Sequence, residues 1–291
     1  GGESFSSVYI LDGTEPEGDI EVSINVTDYL GNQNQYTSIT DGSNVYYDKT
    51  KPSLDLVRIA SDNPYDTTWA TVSNTISLYF RADEDISNTD SIPSATIMGQ
   101  NTTLSITGAN SGKANYVTTN TDPEGQTNFQ ITIFDLAGNK GDIIATSTLD
   151  NNSKVIYDRT VPSDFTLGVV TASGGNIIEN VWNLTNTGLE IVVPIESDTT
   201  LKNGWVQARA KIGLNNFEDL GISSSILQAD IGGNKTLLYT ADQIESITGF
   251  TENETIKLEA ILYDRPGNMK NGIESINILE IDQTPASIFY R

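Results

Sequence analysis

One short phrase occurs three times in this chain: Asp28-Tyr29-Leu30-Gly31-Asn32, Asp135-Leu136-Ala137-Gly138-Asn139 and Asp264-Arg265-Pro266-Gly267-Asn268, each reading Asp-x-x-Gly-Asn. About twenty residues later follow an aspartate, a threonine and a proline, at Asp48 to Pro52, Asp158 to Pro162 and Asp282 to Pro285. The phrase returns after 107 and then 129 residues. Stacked solenoid units repeat every ~20–50 residues, so these intervals mean tandem whole domains. Within the phrase, aspartate accepts from backbone N–H groups two residues on and glycine tolerates positive φ, which together make a tight turn. Proline donates nothing to a ladder and sets an extended path onward, so each Asp-x-Thr-(x)-Pro ends a strand and a domain. The expected organisation is the C-terminal half of a domain over 1–51, a complete domain over 52–161, a larger variant over 162–284, and the start of another over 285–291.

The segments before the turns alternate apolar and polar residues. Ile20, Val22, Ile24 and Val26 do so in the first repeat, Phe129, Ile131 and Ile133 in the second, and Ile256, Leu258, Ala260 and Leu262 in the third. Period two is the signature of a half-buried antiparallel strand. Further strands are expected over 54–60, 75–80, 95–98, 189–195 and 204–212, with loops of Asn, Asp, Ser and Gly between them. Six or seven short strands per ~110 residues, with turn signals every ~8–12, point to an all-β chain of tandem β-sandwiches. Thr240, with Gln243 three residues on, is the one good helix start.

Composition removes much chemistry. The 291 residues contain no cysteine and no histidine, which excludes disulfides, thiolate and imidazole metal sites, the Ser-His-Asp triad and the commonest general base. Thirty-nine acids against sixteen bases give a net charge of −23. Such a surface repels phosphate backbones and anionic lipids, so neither nucleic acid nor a membrane surface is an expected partner. No apolar run is long enough to span a bilayer. The chain also opens without the basic and apolar segments of a signal peptide.

The sequence of Ser61-Asp62-Asn63, a strand ending Phe80-Arg81-Ala82-Asp83-Glu84, Asp122-Pro123-Glu124-Gly125, Asp135 to Asn139 and Tyr157-Asp158-Arg159-Thr160-Val161-Pro162 resembles bacterial immunoglobulin-like repeats. The third domain, with Thr185 to Glu190 and Phe217 to Gly221, looks like a relative found in the same arrays. The resemblance implies tandem immunoglobulin-like β-sandwiches in an extended array, belonging to a large secreted or surface-anchored adhesin. The implied role is non-catalytic, a stalk or filament segment outside the cell. Its expected partners are neighbouring immunoglobulin-like domains or filament subunits, and surface glycans.

Three chemistries remain to weigh. Calcium takes six to eight hard oxygen ligands, which carboxylates and loop carbonyls supply. The resemblance implies calcium at the junctions and names Asp135, Asp158, Asp83, Glu84 and Asp85, with Asp28, Asp48, Asp264 and Asp282 at matching positions. The same residues also read as a hairpin turn and a strand terminator with no metal, and no EF-hand spacing decides between the two. Trp69, Trp182 and Trp205, with twelve tyrosines, are the candidate platforms for sugar; the alternative function is accordingly a carbohydrate-binding module of a secreted polysaccharide-degrading enzyme. Catalysis would need two convergent carboxylates, and no pair is marked out as one. Six Asn-x-Ser/Thr sequons, at 25, 101, 151, 183, 234 and 253, are compositional. An isolated half-domain over 1–51 leaves an open edge, to be completed by preceding sequence or by a strand from another subunit.

Overall fold

Alternation becomes strands throughout. The computed structural model describes residues 4–89, 92–142, 144–145 and 152–287, so the expectations for residues 288–291 and Asn151 lie outside the described residues. Its sheets make the chain all-β, built of β-sandwiches as expected. The backbone falls into two compact units, residues 1–59, 77–116 and 127–154 in one, residues 60–76, 117–126 and 155–291 in the other.

The first unit holds most of a four-stranded sheet in the order Thr103–Gly108, Ser111–Val117, Thr75–Ala82, Leu54–Ser61. A second sheet runs Ile144–Ala145, Phe129–Thr132, Ser94–Ile97, Gln100–Asn101. Their inward residues, including Val57, Leu78, Phe80, Ile97 and Ile131, are buried. Gly112 is required by this packing, since a Cβ there would come within 2.4 Å of the Phe80 ring. The hairpin Thr103–Val117 is not among the expected strands, although Leu104 and Ile106 alternate with Thr103, Ser105 and Thr107 on its first strand.

The hairpin Ile24–Thr27 with Gln33–Tyr36 and the pair Gly18–Asp19 with Tyr46–Tyr47 also belong to this unit. Here the expectation of a half-buried strand meets a different outcome. Val22, Ile24 and Val26 are 39%, 55% and 49% exposed, whereas Phe129, Ile131 and Ile133, at the matching positions, are 3%, 0% and 1% exposed. The pattern is the same; the first copy has no opposing sheet among the described residues.

In the second unit a sheet of Val170–Ser173, Gly188–Pro194 and Asn234–Thr240 faces a larger one built on Trp205–Ile212, Thr255–Tyr263 and Leu279–Asp282. Between them lies one continuous core containing Trp182, Ile191, Ala208, Leu258 and Ile281. Two pairings are parallel rather than antiparallel, Ile156–Tyr157 with Trp69–Ala70 and Val181–Asn183 with Leu279–Asp282. The helical turn Ala241–Glu245 starts at Thr240, which forms the expected capping box with Gln243.

Burial alone separates the two copies of the strand. Ile131→Ala should lower the unfolding free energy by about 2–5 kcal/mol, and Ile24→Ala by less than about 1 kcal/mol, as read by denaturant titration. Equal losses would mean that the Ile24 face is covered in solution.

Candidate metal centres

Each Asp-x-x-Gly-Asn closes on itself in the same way. Asp135 N–H donates to the Asn139 carbonyl at 3.2 Å, and Gly138 N–H to the Asp135 carbonyl at 3.3 Å. The Asp135 carboxylate accepts from Asn139 N–H at 2.8 Å and from Asn139 Nδ2 at 2.8 Å. Asp28 with Asn32 and Asp264 with Asn268 repeat both carboxylate bonds. The glycines stand at φ of +90°, +92° and +96°, in the region that L side chains rarely adopt. The turn expected from the sequence is therefore present three times.

The second proton of the asparagine amide reaches further. Asn139 Nδ2 donates to the Asp48 carbonyl at 3.1 Å, and Asn268 Nδ2 to the Asp158 carbonyl at 3.1 Å. Each turn thus grips the aspartate that begins the preceding Asp-x-Thr segment. That segment is itself latched by a glutamate. Glu124 accepts from Arg159 N–H at 3.0 Å and from Thr160 Oγ1 at 2.8 Å; Glu17 does the same for Lys49 and Thr50, and Glu252 for Gln283 and Thr284. The sequence carries a signal for this latch, the Pro-Glu-Gly shared by the first two repeats, to which no role is assigned from the sequence alone.

The grip forces carboxylates together. Asp48, Glu84 and Asp135 offer ligand oxygens that all lie within 4.8 Å of one another, and Asp135 is buried. An open cavity of about 380 Å³ beside them is lined by Tyr46, Asp48, Glu84, Asp85, Leu136 and Ala137. Burial pushes the Glu84 carboxyl up, and the charges of Asp135 and Asp48 add to the effect.

The second cluster is more enclosed. Asp264 is 0% exposed and Asp158 7%. Asp158 Oδ1 accepts from Thr160 N–H at 2.9 Å, but its buried Oδ2 has no hydrogen-bond partner. Burial pushes Asp158 up to about 6, against the Thr160 bond, with Glu124 and Asp198 adding repulsion. Burial likewise pushes Asp264 up to about 7, with Asp158 adding repulsion against the bonds from Asn268 and Gly267. Nearby contacts hold the turn in place: Arg265 pairs with Asp66 at 2.7 Å, Asn63 Nδ2 donates to the Pro266 carbonyl at 2.8 Å, and Thr71 Oγ1 donates to Asn268 Oδ1 at 2.5 Å.

The residues named from the sequence therefore sort into groups. Asp48, Glu84 and Asp135 come together, and Asp158 with Asp264; Asp85 lines the first cavity. Asp83 instead accepts from Ser53 N–H at 2.9 Å and Ser53 Oγ at 2.7 Å, tying down the residue after Pro52. Asp28 is exposed and engaged within its own turn; Asp282 is exposed and accepts from Thr284 N–H. Among the described residues only Asp48, Glu84 and Asp135 form a three-acid group that could hold a metal. The donor set is all hard oxygen, and an orphaned buried carboxylate oxygen in the second cluster is the atom a cation would satisfy. Both fit calcium chemistry.

No protein-family model matches the chain, and no curated protein does. Solved structures similar to it include the FN1–FN3 domains of chicken CNTN1, at 8% identity and a TM-score of 0.36, covering 91% of this chain and 78% of that one. Titin domains A168–A170 are similar at 10% identity and a TM-score of 0.39, covering 94% and 85%.

The second cluster sets a pH dependence. The folded values of Asp158 and Asp264 lie above the ordinary carboxylate value, so the folded state holds protons that the unfolded chain has released. The resulting stability is fully present below about pH 4 and is lost as pH rises through 6 and 7. In chelating buffer the wild type should melt lower at pH 8 than at pH 5.5, and Asp158→Asn should show a smaller drop. An undiminished drop in the variant would remove Asp158 as a source.

Proposed function

We propose that this chain is a non-catalytic structural and adhesive segment of a large extracellular bacterial surface protein, of the bacterial immunoglobulin-like class. Domains over 52–161 and 162–284 follow one another as a stalk or filament, with residues 1–51 as the C-terminal half of the domain before and residue 285 onward beginning the next. The observation that carries this reading is the twice-made contact from the asparagine of one turn to the aspartate carbonyl of the preceding segment. It ties each repeat to the chain just ahead of its first strand, which suits a rod better than beads on a flexible string.

The carboxylates gathered by that contact would hold a divalent cation, with calcium the expected ion. Asp48, Glu84 and Asp135 would hold it in one cluster, Asp158 and Asp264 in the other. A bound cation supplies positive charge that offsets repulsion among carboxylates and stiffens the connection.

The carbohydrate-module alternative draws little from the tryptophans. Trp182 is fully buried. Trp205 is stacked on Tyr263 at 4.7 Å and tilted against Tyr65 at 4.5 Å. Trp69 lies under the Arg265 guanidinium at 5.3 Å.

Millimolar calcium should raise the melting temperature relative to chelator, because a ligand held only by the native state stabilises it, by about 2.7 kcal/mol at a hundredfold excess over Kd. Glu84→Gln should reduce the gain; the turn is closed by Asp135, Gly138 and Asn139, so the variant leaves it intact. A melting temperature indifferent to calcium defeats the cation reading, and a compact radius of gyration by X-ray scattering defeats the stalk.

A further inference from the structure

In a chain with sixteen basic residues against thirty-nine acids, a cation without an acidic partner is worth explaining. The outward face of the sheet containing Leu54–Ser61, Thr75–Ala82 and Ser111–Val117 gathers three of the bases. Arg58 lies 5.1 Å from the centre of the Tyr79 ring and Lys113 lies 5.0 Å from it. Strand order places Tyr79 on the middle strand, with Arg58 on one neighbour and Lys113 on the other. Each of the three sits between two buried residues, so alternation turns all of them away from the core. Arg81 follows on the same face, paired with Asp55 at 3.0 Å. Arg58 and Lys113 have no ion-pair partner among the described residues.

The rest of the face carries hydroxyl and amide groups. Ser77 Oγ bonds Asn115 Oδ1 at 2.9 Å, Thr103 stands opposite Asn115, and Ser105 stands opposite Lys113. The Tyr79 hydroxyl reports the local field. Burial pushes its pKa up, yet hydrogen bonds from Lys113 and Ser77 and the charges of Lys113 and Arg58 bring it below the usual value. At physiological salt, charges more than about 8 Å away are largely screened, so a bound group at this face meets the cations rather than the net charge of −23.

We infer that the Arg58–Tyr79–Lys113 face is a binding site for an acidic polysaccharide. Arg58 and Lys113 take its carboxylate or sulfate groups in charge-assisted hydrogen bonds, while Ser77, Ser105, Thr103 and Asn115 meet its hydroxyls. A protein partner fits less well, since a specific interface needs a desolvated apolar centre and the centre of this face is two cations over the half-buried Tyr79 ring. The inference supplies a ligand class to the adhesive reading above and rests on it. The calcium melt tests the structural part of that reading without glycan, so the two failures are distinguishable.

The test is retention of the whole chain on immobilised polygalacturonate, on dextran sulfate and on neutral dextran. Binding to one or both acidic polymers and not to dextran is expected, and the polymer preferred distinguishes carboxylate from sulfate. Arg58→Gln with Lys113→Gln should weaken it at least about tenfold with circular dichroism and melting temperature little changed. Tyr79→Phe, which keeps the ring, should bind like wild type to within a few fold. Absence of acidic-polymer binding, or binding untouched by the double variant, overturns the proposal. So does a double variant that only lowers the melting temperature, which would make the stack purely structural. A double variant that only abolishes self-association, read by sedimentation, overturns it in favour of contact between copies.

Discussion

The side-chain amide of one asparagine organises much of this molecule. Asn139 spends one of its N–H groups on the carboxylate of its own turn and reaches the Asp48 carbonyl with the same nitrogen; Asn268 does the same with Asp264 and the Asp158 carbonyl. An amide is suited to this because its two donors diverge from one planar group. The contact fixes where the incoming chain lies relative to the turn, and with it the carboxylates at the start of the Asp-x-Thr segment. Repulsion among those acids is therefore a consequence of the geometry that aligns the chain. It is a cost that turn, latch and packing must outweigh, or that a cation can relieve.

The two clusters answer that cost differently. Around Asp48, Glu84 and Asp135 the site is open to a cavity, and water lowers the repulsion between the half-buried Asp48 and Glu84. Around Asp158 and Asp264 solvent is excluded, and the raised values of both groups show what exclusion costs. The surroundings compensate with other contacts. Trp205 stacks on Tyr263 and tilts against Tyr65, Thr71 and Asn63 hydrogen-bond the turn, and Arg265 is held by Asp66 in an ion pair. The enclosed cluster thus has support independent of any ion, whereas the open cluster has less protein around its acids.

The turns and the strands beside them were legible in the sequence because both rest on local rules. Aspartate and glycine at fixed offsets define the turn, and alternation defines the strand; Thr255–Tyr263 appears with the bounds the pattern predicts. Burial was less legible, because alternation says which side is apolar and not what covers it. Ile24 and Ile131 share a pattern and differ from 55% to 0% exposed. The clusters were legible as a set of acids but not as a grouping. Asp83 and Glu84 are neighbours in the bend after the strand that ends at Ala82, yet one binds Ser53 and the other lies with Asp135.

The same limit explains why the glutamate latches are not legible in the sequence. A carboxylate signals an acceptor, and sequence does not say whether the donor is a metal, a backbone amide or a hydroxyl. The latches resolve this by supply: the threonine of Asp-x-Thr gives its N–H to the aspartate two residues before it, and its hydroxyl, with the N–H of the residue between them, goes to Glu17, Glu124 or Glu252. What remains after such matching is a small remainder of acids with no donor left to accept from. Among the described residues Asp158 Oδ2 is in that remainder, and it is there and in the grouping of Glu84 with Asp48 and Asp135, rather than in the total of thirty-nine acids, that the proposal of a cation rests.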